Sequence, residues 1–195
     1  MVIYLDNDTI INLAELNILD LLCDALGIDH HETCVFVLRS CPDFVRNQVA
    51  EPARGRVLVF LSKCGYASMT YHGTEFAELS GKPGMNNEAE LYACCCNDTG
   101  AIMSTGDHRS ARSIIQFASA GTRAKLANRL LAPEQCIMKI IDHFGFAEVH
   151  SRWAGQLIDH NFLSTLDGMS EQEVKQSIEE RMVTKRQSAT DLYLP

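Results

Sequence analysis

Apolar positions in this chain change period along its length. Residues 1–5 are a β-branched and aromatic run that ends at Asp6, after which Ile10, Leu13, Leu16, Leu19, Leu22 and Leu26 recur at helical spacing up to Gly27. The pattern predicts a strand and then one helix over residues 9–26, with Asp6 and Asp8 in the turn between them. Asp8 reads as the helix cap, whereas Asp6 stands too early to be the simplest cap. Residues 34–38 (CVFVL) predict a second strand, Cys41–Gln48 a short helix or loop, and the apolar run 57–61 a strand or a buried helical segment. Residues 62–84 hold four glycines and Pro83 and predict little, beyond a turn on which Glu75 and Glu78 read as solvated surface.

The second half is more legible. Residues 86–112 read NNEAELYACCCNDTGAIMSTGDHRSAR. Asn86 and Asn87 are N-cap candidates, and Glu88 and Glu90 fall in a first helical turn, where the helix dipole favours carboxylates. Asn97, Asp98 and Gly100 end that helix. A strand over 101–105 follows, and Asp107 lies just beyond it. Helices are then expected over 109–120, where Gly121 interrupts, over 122–131, and over Pro133–Phe144 with Pro133 at the first helical position. Residues 146–149 read as a last strand, 152–166 as mixed, and Trp153 as a packing anchor. Ser170 and Glu173 form a capping box for a helix with a thin apolar stripe, Val174, Ile178 and Met182, as expected of an add-on helix packed on the body or on a partner. Residues 187–195 read as a tail.

Strand–helix alternation of this kind predicts an α/β fold with a parallel sheet. In such a sheet the helices run antiparallel to the strands, so a helix start and a strand end share one edge. Asp6, Glu88 and Asp107 therefore meet at the edge where open α/β sheets bind ligands. Glu90 does not join them: at the ~100° step of an α-helix it points about 200° away from Glu88.

Composition narrows the chemistry. A net charge of −8 gives no general attraction to polyanions, so a nucleic-acid role needs a local basic patch or metal ions in an acidic pocket; acidity equally suits a basic protein partner. The eight cysteines include Cys94, Cys95 and Cys96 but no CxxC pair, so they signal neither a zinc site nor a disulfide framework and read as packing residues. No apolar run approaches the roughly 20 residues needed to span a bilayer, and the chain starts on a strand without a basic flank, so a cytoplasmic protein with no membrane contact is expected. Clustered carboxylates repel one another and suit hard divalent cations, Mg²⁺ or Mn²⁺. Metal-activated water attacking a phosphodiester is the chemistry such a cluster supports best.

At these residues the chain resembles the PIN-domain family of metal-dependent ribonucleases. The strand, aspartate and leucine-rich helix of VIYLDNDTIINLAEL place Asp6 at the family's opening acid. NNEAELYA matches its GEAE-type helix start at Glu88, and IMSTGDHRSAR matches its T-x-D strand end at Asp107. The resemblance covers residues 1–150 and implies a three-layer α/β/α sandwich with a mainly parallel central sheet, followed by a helical C-terminal extension and tail over 151–195. It implies an endoribonuclease in which Asp6, Glu88 and Asp107 are catalytic and bind Mg²⁺ or Mn²⁺, with Asp8, His108 and Arg109 as auxiliary candidates. The role of many small stand-alone members, a toxin in a toxin/antitoxin pair, makes RNA the expected substrate and a protein antitoxin or a second copy of the chain the expected partner. Asn87 departs from the family's glycine, and Asp8 stands where asparagine or serine is common. The family's further acid after the second strand has Asp43 and Glu51 as candidates, and the nearest polar groups beyond Asp107 are His108 and Ser110. Arg109 and Arg112 read as phosphate contacts or as ion-pair partners of the acids, and Lys82 and His72 are further lining candidates. Two other readings compete. Asp6-Asn7-Asp8 with Gly106-Asp107 suggests a phosphatase of the haloacid-dehalogenase class, although Ala111 stands where its second acid belongs. The fold could also serve as a catalytically inactive binding or regulatory module.

Overall fold

The computed structural model describes residues 1–28, 33–68, 73–156, 158, 162–189 and 191–195. Its centre is a five-stranded, all-parallel sheet in the order β3-β2-β1-β4-β5. The strands are β1 (Ile3–Leu5), β2 (Val35–Val37), β3 (Gly65–Tyr66), β4 (Ile102–Ser104) and β5 (Leu130–Leu131). All three residues of β1 and of β4 are buried, as expected of central strands covered on both faces. Leu5 pairs with Val37 on one side and with Ser104 on the other.

The helices are α1 (Asn7–Glu15), α2 (Leu22–Leu26), α3 (Cys41–Gln48), α4 (Ala53–Leu61), α5 (Thr74–Leu79), α6 (Glu88–Asn97), α7 (His108–Phe117), α8 (Ala120–Leu126), α9 (Pro133–Phe144), α10 (Phe146–Trp153) and α11 (Glu171–Ser188). One group, α1, α2, α4, α9, α10 and α11, packs together, and α5, α6, α7 and α8 form another, giving the three-layer α/β/α arrangement with a helical C-terminal part. No helix of the described residues is long and apolar enough to cross a membrane.

Several elements differ from the sequence pattern for identifiable reasons. The helix expected over 9–26 breaks after Leu16. Asn17 adopts a left-handed φ of 59°, Ile18 N–H returns to the Leu13 carbonyl and Asn17 N–H to that of Ala14, which closes the turn as a Schellman motif. The leucine stripe survives the break because the 3₁₀ turn Leu19–Leu21 and α2 turn the same face inward. The apolar run 57–61 is the end of α4, a helix. Gly121 interrupts nothing: the break falls at Ala118 and Ser119, and the Ser119 hydroxyl caps α8 by accepting from Thr122 N–H. The helix expected over 122–131 ends at Leu126, and its last two residues form β5. The strand expected over 146–149 is the start of α10, whose Phe146, Val149 and Trp153 follow helical spacing. Trp153 is fully buried, edge-on to Phe146 and His150.

The C-terminal residues are no loose tail. Leu192 and Tyr193 are buried, Tyr193 bridges in parallel to Leu130, and Leu194 N–H bonds the Leu130 carbonyl at 2.8 Å. This segment covers the open edge of β5. The Ser170–Glu173 capping box forms as expected, and α11 lays buried Val174, Ile178 and Met182 toward α9. Glu75 is buried rather than solvated, because Lys125 and Asn97 bind its carboxylate.

Candidate functional site

The sheet fixes where the acids fall. After β1 the chain winds outward to β2 and β3, then returns across the sheet to β4, so β1 and β4 flank the point where the winding reverses. Asp6 follows β1 directly, and its N–H continues the ladder to the Ser104 carbonyl at 3.0 Å. Thr105, Gly106 and Asp107 leave β4 beside it. The Thr105 hydroxyl donates to Asp6 Oδ2 at 3.0 Å and accepts from Asp107 N–H at 3.2 Å, so one buried threonine joins the two strand ends.

Asp6 occupies the N-cap position of α1, yet its side chain makes no capping bond. It is only 4% exposed. Burial, then the charges of Asp8 and Glu88, push its carboxyl up to about 7, against the smaller opposing pull of Thr105 and Asn7 N–H. Asp8 is thus no cap: it stands inside α1, exposed, with its Cβ against Gly106. A Cβ on Gly106 would come within 2.9 Å of Asp8 Cβ, so a residue without a side chain is what lets α1 approach the Asp107 turn.

Glu88 is the first residue of α6. Neither Asn86 nor Asn87 caps this helix through its side chain; Glu88 Oε2 instead accepts from Asn86 N–H at 3.0 Å. Burial and the charges of Asp107 and Asp8 raise its carboxyl above the usual range, partly offset by backbone hydrogen bonds. Asp107 caps α7 by accepting from Arg109 N–H at 2.8 Å, and the Arg109 guanidinium forks onto both carboxylate oxygens at 3.1 Å each. Burial pushes Asp107 up, but the Arg109 bonds and charge, with His108, hold it below the ordinary value. Arg109 itself remains 70% exposed. Asp107 raises its basicity first, and Asp8 and Glu88 add to the effect. Arg109 therefore fills the ion-pair role, facing three of the four acids.

Beneath the carboxylates, α6 and α7 are stitched by side chains one turn further in. Ser110 Oγ donates to the Asp107 carbonyl at 2.7 Å, and the buried Tyr92 hydroxyl bonds Ser110 Oγ at 2.9 Å. Since the single Ser110 proton is committed, Tyr92 is the donor. Sequence reasoning passed over Thr105 and Tyr92. The signals were present, with Tyr92 four residues after Glu88 on the same helix face and Ser110 three after Asp107.

The other candidates lie elsewhere. Asp43 and Glu51 are exposed and held by local ion pairs with Arg46 and Arg54; the fourth carboxylate near Asp6 and Glu88 is Asp8. Lys82 sits over the Phe117 ring, 5.9 Å from its centroid. His72 lies outside the described residues. All eight cysteines are free thiols, seven of them buried.

The donor set fits a hard divalent cation in chemistry: four carboxylates at one sheet edge, the deepest of them raised by burial and then by its neighbours. The side chains as placed do not form a chelating group, since no three His, Cys, Asp or Glu among the described residues stand so as to hold a metal ion. Asp107 is engaged by Arg109 and Glu88 by Asn86. Comparison of the chain with protein-family models, with curated proteins and with solved structures finds no match.

Proposed function

We propose that this protein is a Mg²⁺- or Mn²⁺-dependent endoribonuclease of the PIN-like type. The observation that carries this reading is the buried Asp6 at the reversal point of the sheet, with Asp8 and Glu88 raising its carboxyl and Asp107 tied to it through Thr105. In this reading Asp6, Glu88 and Asp107 would hold the cation, with Asp107 giving up its Arg109 contact to do so. The bound ion would activate water and neutralise the charge that develops on the phosphodiester. Thr105 orients Asp6 and fixes the Asp107 turn, while Tyr92 and Ser110 hold the α6 and α7 starts together. Arg109, once released, would be free to contact the substrate phosphate, a role its exposure supports. A toxin role, with a protein antitoxin as partner, extends the same proposal.

The expected result is RNA cleavage that requires Mn²⁺ or Mg²⁺, stops with EDTA, and is abolished by Asp6→Asn and Asp107→Asn in proteins whose circular dichroism is unchanged. Cleavage indifferent to EDTA would exclude it. The Arg109 fork favours one second reading, an inactive binding module in which the arginine permanently replaces the cation; absence of cleavage and of Mn²⁺ binding in wild-type protein would establish that reading instead.

A further inference from the structure

Directly beside the acid edge the sign of the charge reverses. His108, Arg112, Arg181, Thr184, Lys185 and Ser188 line a cavity of about 220 Å³ between α7 and α11. Of its three cations, two are engaged by one buried carboxylate, Glu134, which Arg181 Nε binds at 3.1 Å and Lys185 Nζ at 2.6 Å. The cavity thus stays net positive in a chain of net charge −8. Arg112 is exposed and makes no hydrogen bond or ion pair among the described residues. His108, which follows Asp107 without a gap, sits one helical turn, about 6 Å, from Arg112 along α7.

We propose that this cleft seats the phosphate backbone of an RNA strand as it runs from the acid edge along α7 to α11, an assignment that rests on the nuclease reading above. The lining suits backbone rather than base recognition. Its cations are phosphate-binding groups, and the Arg181 guanidinium is already stacked on Phe162, 4.1 Å from the ring centroid. A row of positive groups continuous with a catalytic edge fits a polymer of negative charges better than a single small anion. It also gives α11, which lies outside the part resembling a nuclease, a share in the substrate path.

The test uses the full chain in EDTA and a short fluorescent 2′-O-methyl RNA, which cannot be cut, with binding read by anisotropy across a salt series. Arg112→Glu is expected to weaken binding roughly tenfold at low salt, equally for unrelated sequences, and to lower the salt slope by about one. Arg112→Lys should retain most of the affinity. Lys63→Glu, the charge reversal at the end of α4 on the opposite sheet edge, should leave binding unchanged. Equal binding by Arg112→Glu and Lys63→Glu would overturn the proposal, as would displacement of the RNA by inorganic phosphate at matched phosphate concentration. The two readings fail differently. Wild-type protein that cleaves RNA with Mn²⁺ but binds it independently of Arg112 loses only the cleft, whereas Arg112-dependent binding without metal-dependent cleavage removes the nuclease and upholds the cleft.

Discussion

Asp6 and Glu134 are carboxylates of equal burial, each 4% exposed, on opposite sides of β4's end, and their surroundings treat them in opposite ways. Glu134 opens α9 and receives two cations from α11; burial alone would raise it, but Lys185 and Arg181 hold it below its ordinary value. Asp6 receives a threonine hydroxyl and two like charges, and forms no ion pair among the described residues. Glu134 is therefore a structural pin that fixes α11 to the body. Asp6 is a buried carboxyl with no cationic partner among the described residues, the pattern that the proposed cation-binding role expects and an architectural carboxylate does not show.

That contrast can be broken most forcefully at Glu134. Glu134→Gln keeps the shape and removes the charge, leaving Lys185, whose side chain is 11% exposed, without its partner. Urea unfolding should show a loss of about 3 kcal/mol, the usual penalty for breaking a buried pair from one side. Asp6→Asn, at the same exposure, should do the reverse and raise stability at neutral pH by roughly 1 kcal/mol, within the range typical when a site is relieved of its functional strain.

The pH dependence separates the two acids further. Because the native value of Asp6 stands near 7 against an ordinary 3.8, its contribution to stability is full below pH 3.8 and is lost as pH rises toward 7. Glu134 lies below the ordinary 4.5, so its contribution is full above pH 4.5 and is lost as pH falls through the native value. Melting temperatures of metal-free protein across pH should therefore lose their decline between about pH 4 and 7 in Asp6→Asn, and lose part of their acid-side fall in Glu134→Gln.

The smallest stability effect is expected at Arg109. Its side chain is largely exposed, so Arg109→Gln should leave the melting temperature unchanged within error. The same substitution frees Asp107 and should tighten Mn²⁺ binding several-fold, which would sharpen the contrast by placing the competing cation at Asp107 rather than at Asp6.

The acid edge was legible in the sequence because three features of pattern converge on it. Strand ends at Leu5 and Ser104 and the helix start at Glu88 are set by local periodicity, and parallel topology puts them on one side. What sequence missed depends on contacts distant along the chain. Thr105 matters only because β1 lies beside β4, and Asp8 reads as a cap in the sequence because α1 starts two residues before the expected Thr9, at Asn7. β5 has just two residues, too few for a period, and became a strand through its pairing with Met103 and Ser104 and the bridge to Tyr193. The Asn17 turn hid inside an unbroken leucine stripe. Glu134, in the first turn of α9, drew no sequence expectation and owes its role to Arg181 and Lys185, about fifty residues further along.

Titration calorimetry with Mn²⁺ tests the central claim, that the charge left uncompensated at Asp6 is there for a cation. Wild-type protein should bind Mn²⁺ saturably near pH 7.5, and Asp6→Asn should lose that binding while melting at least as high as wild type. No heat of binding at millimolar Mn²⁺, or the same isotherm from wild type and Asp6→Asn, would contradict the account.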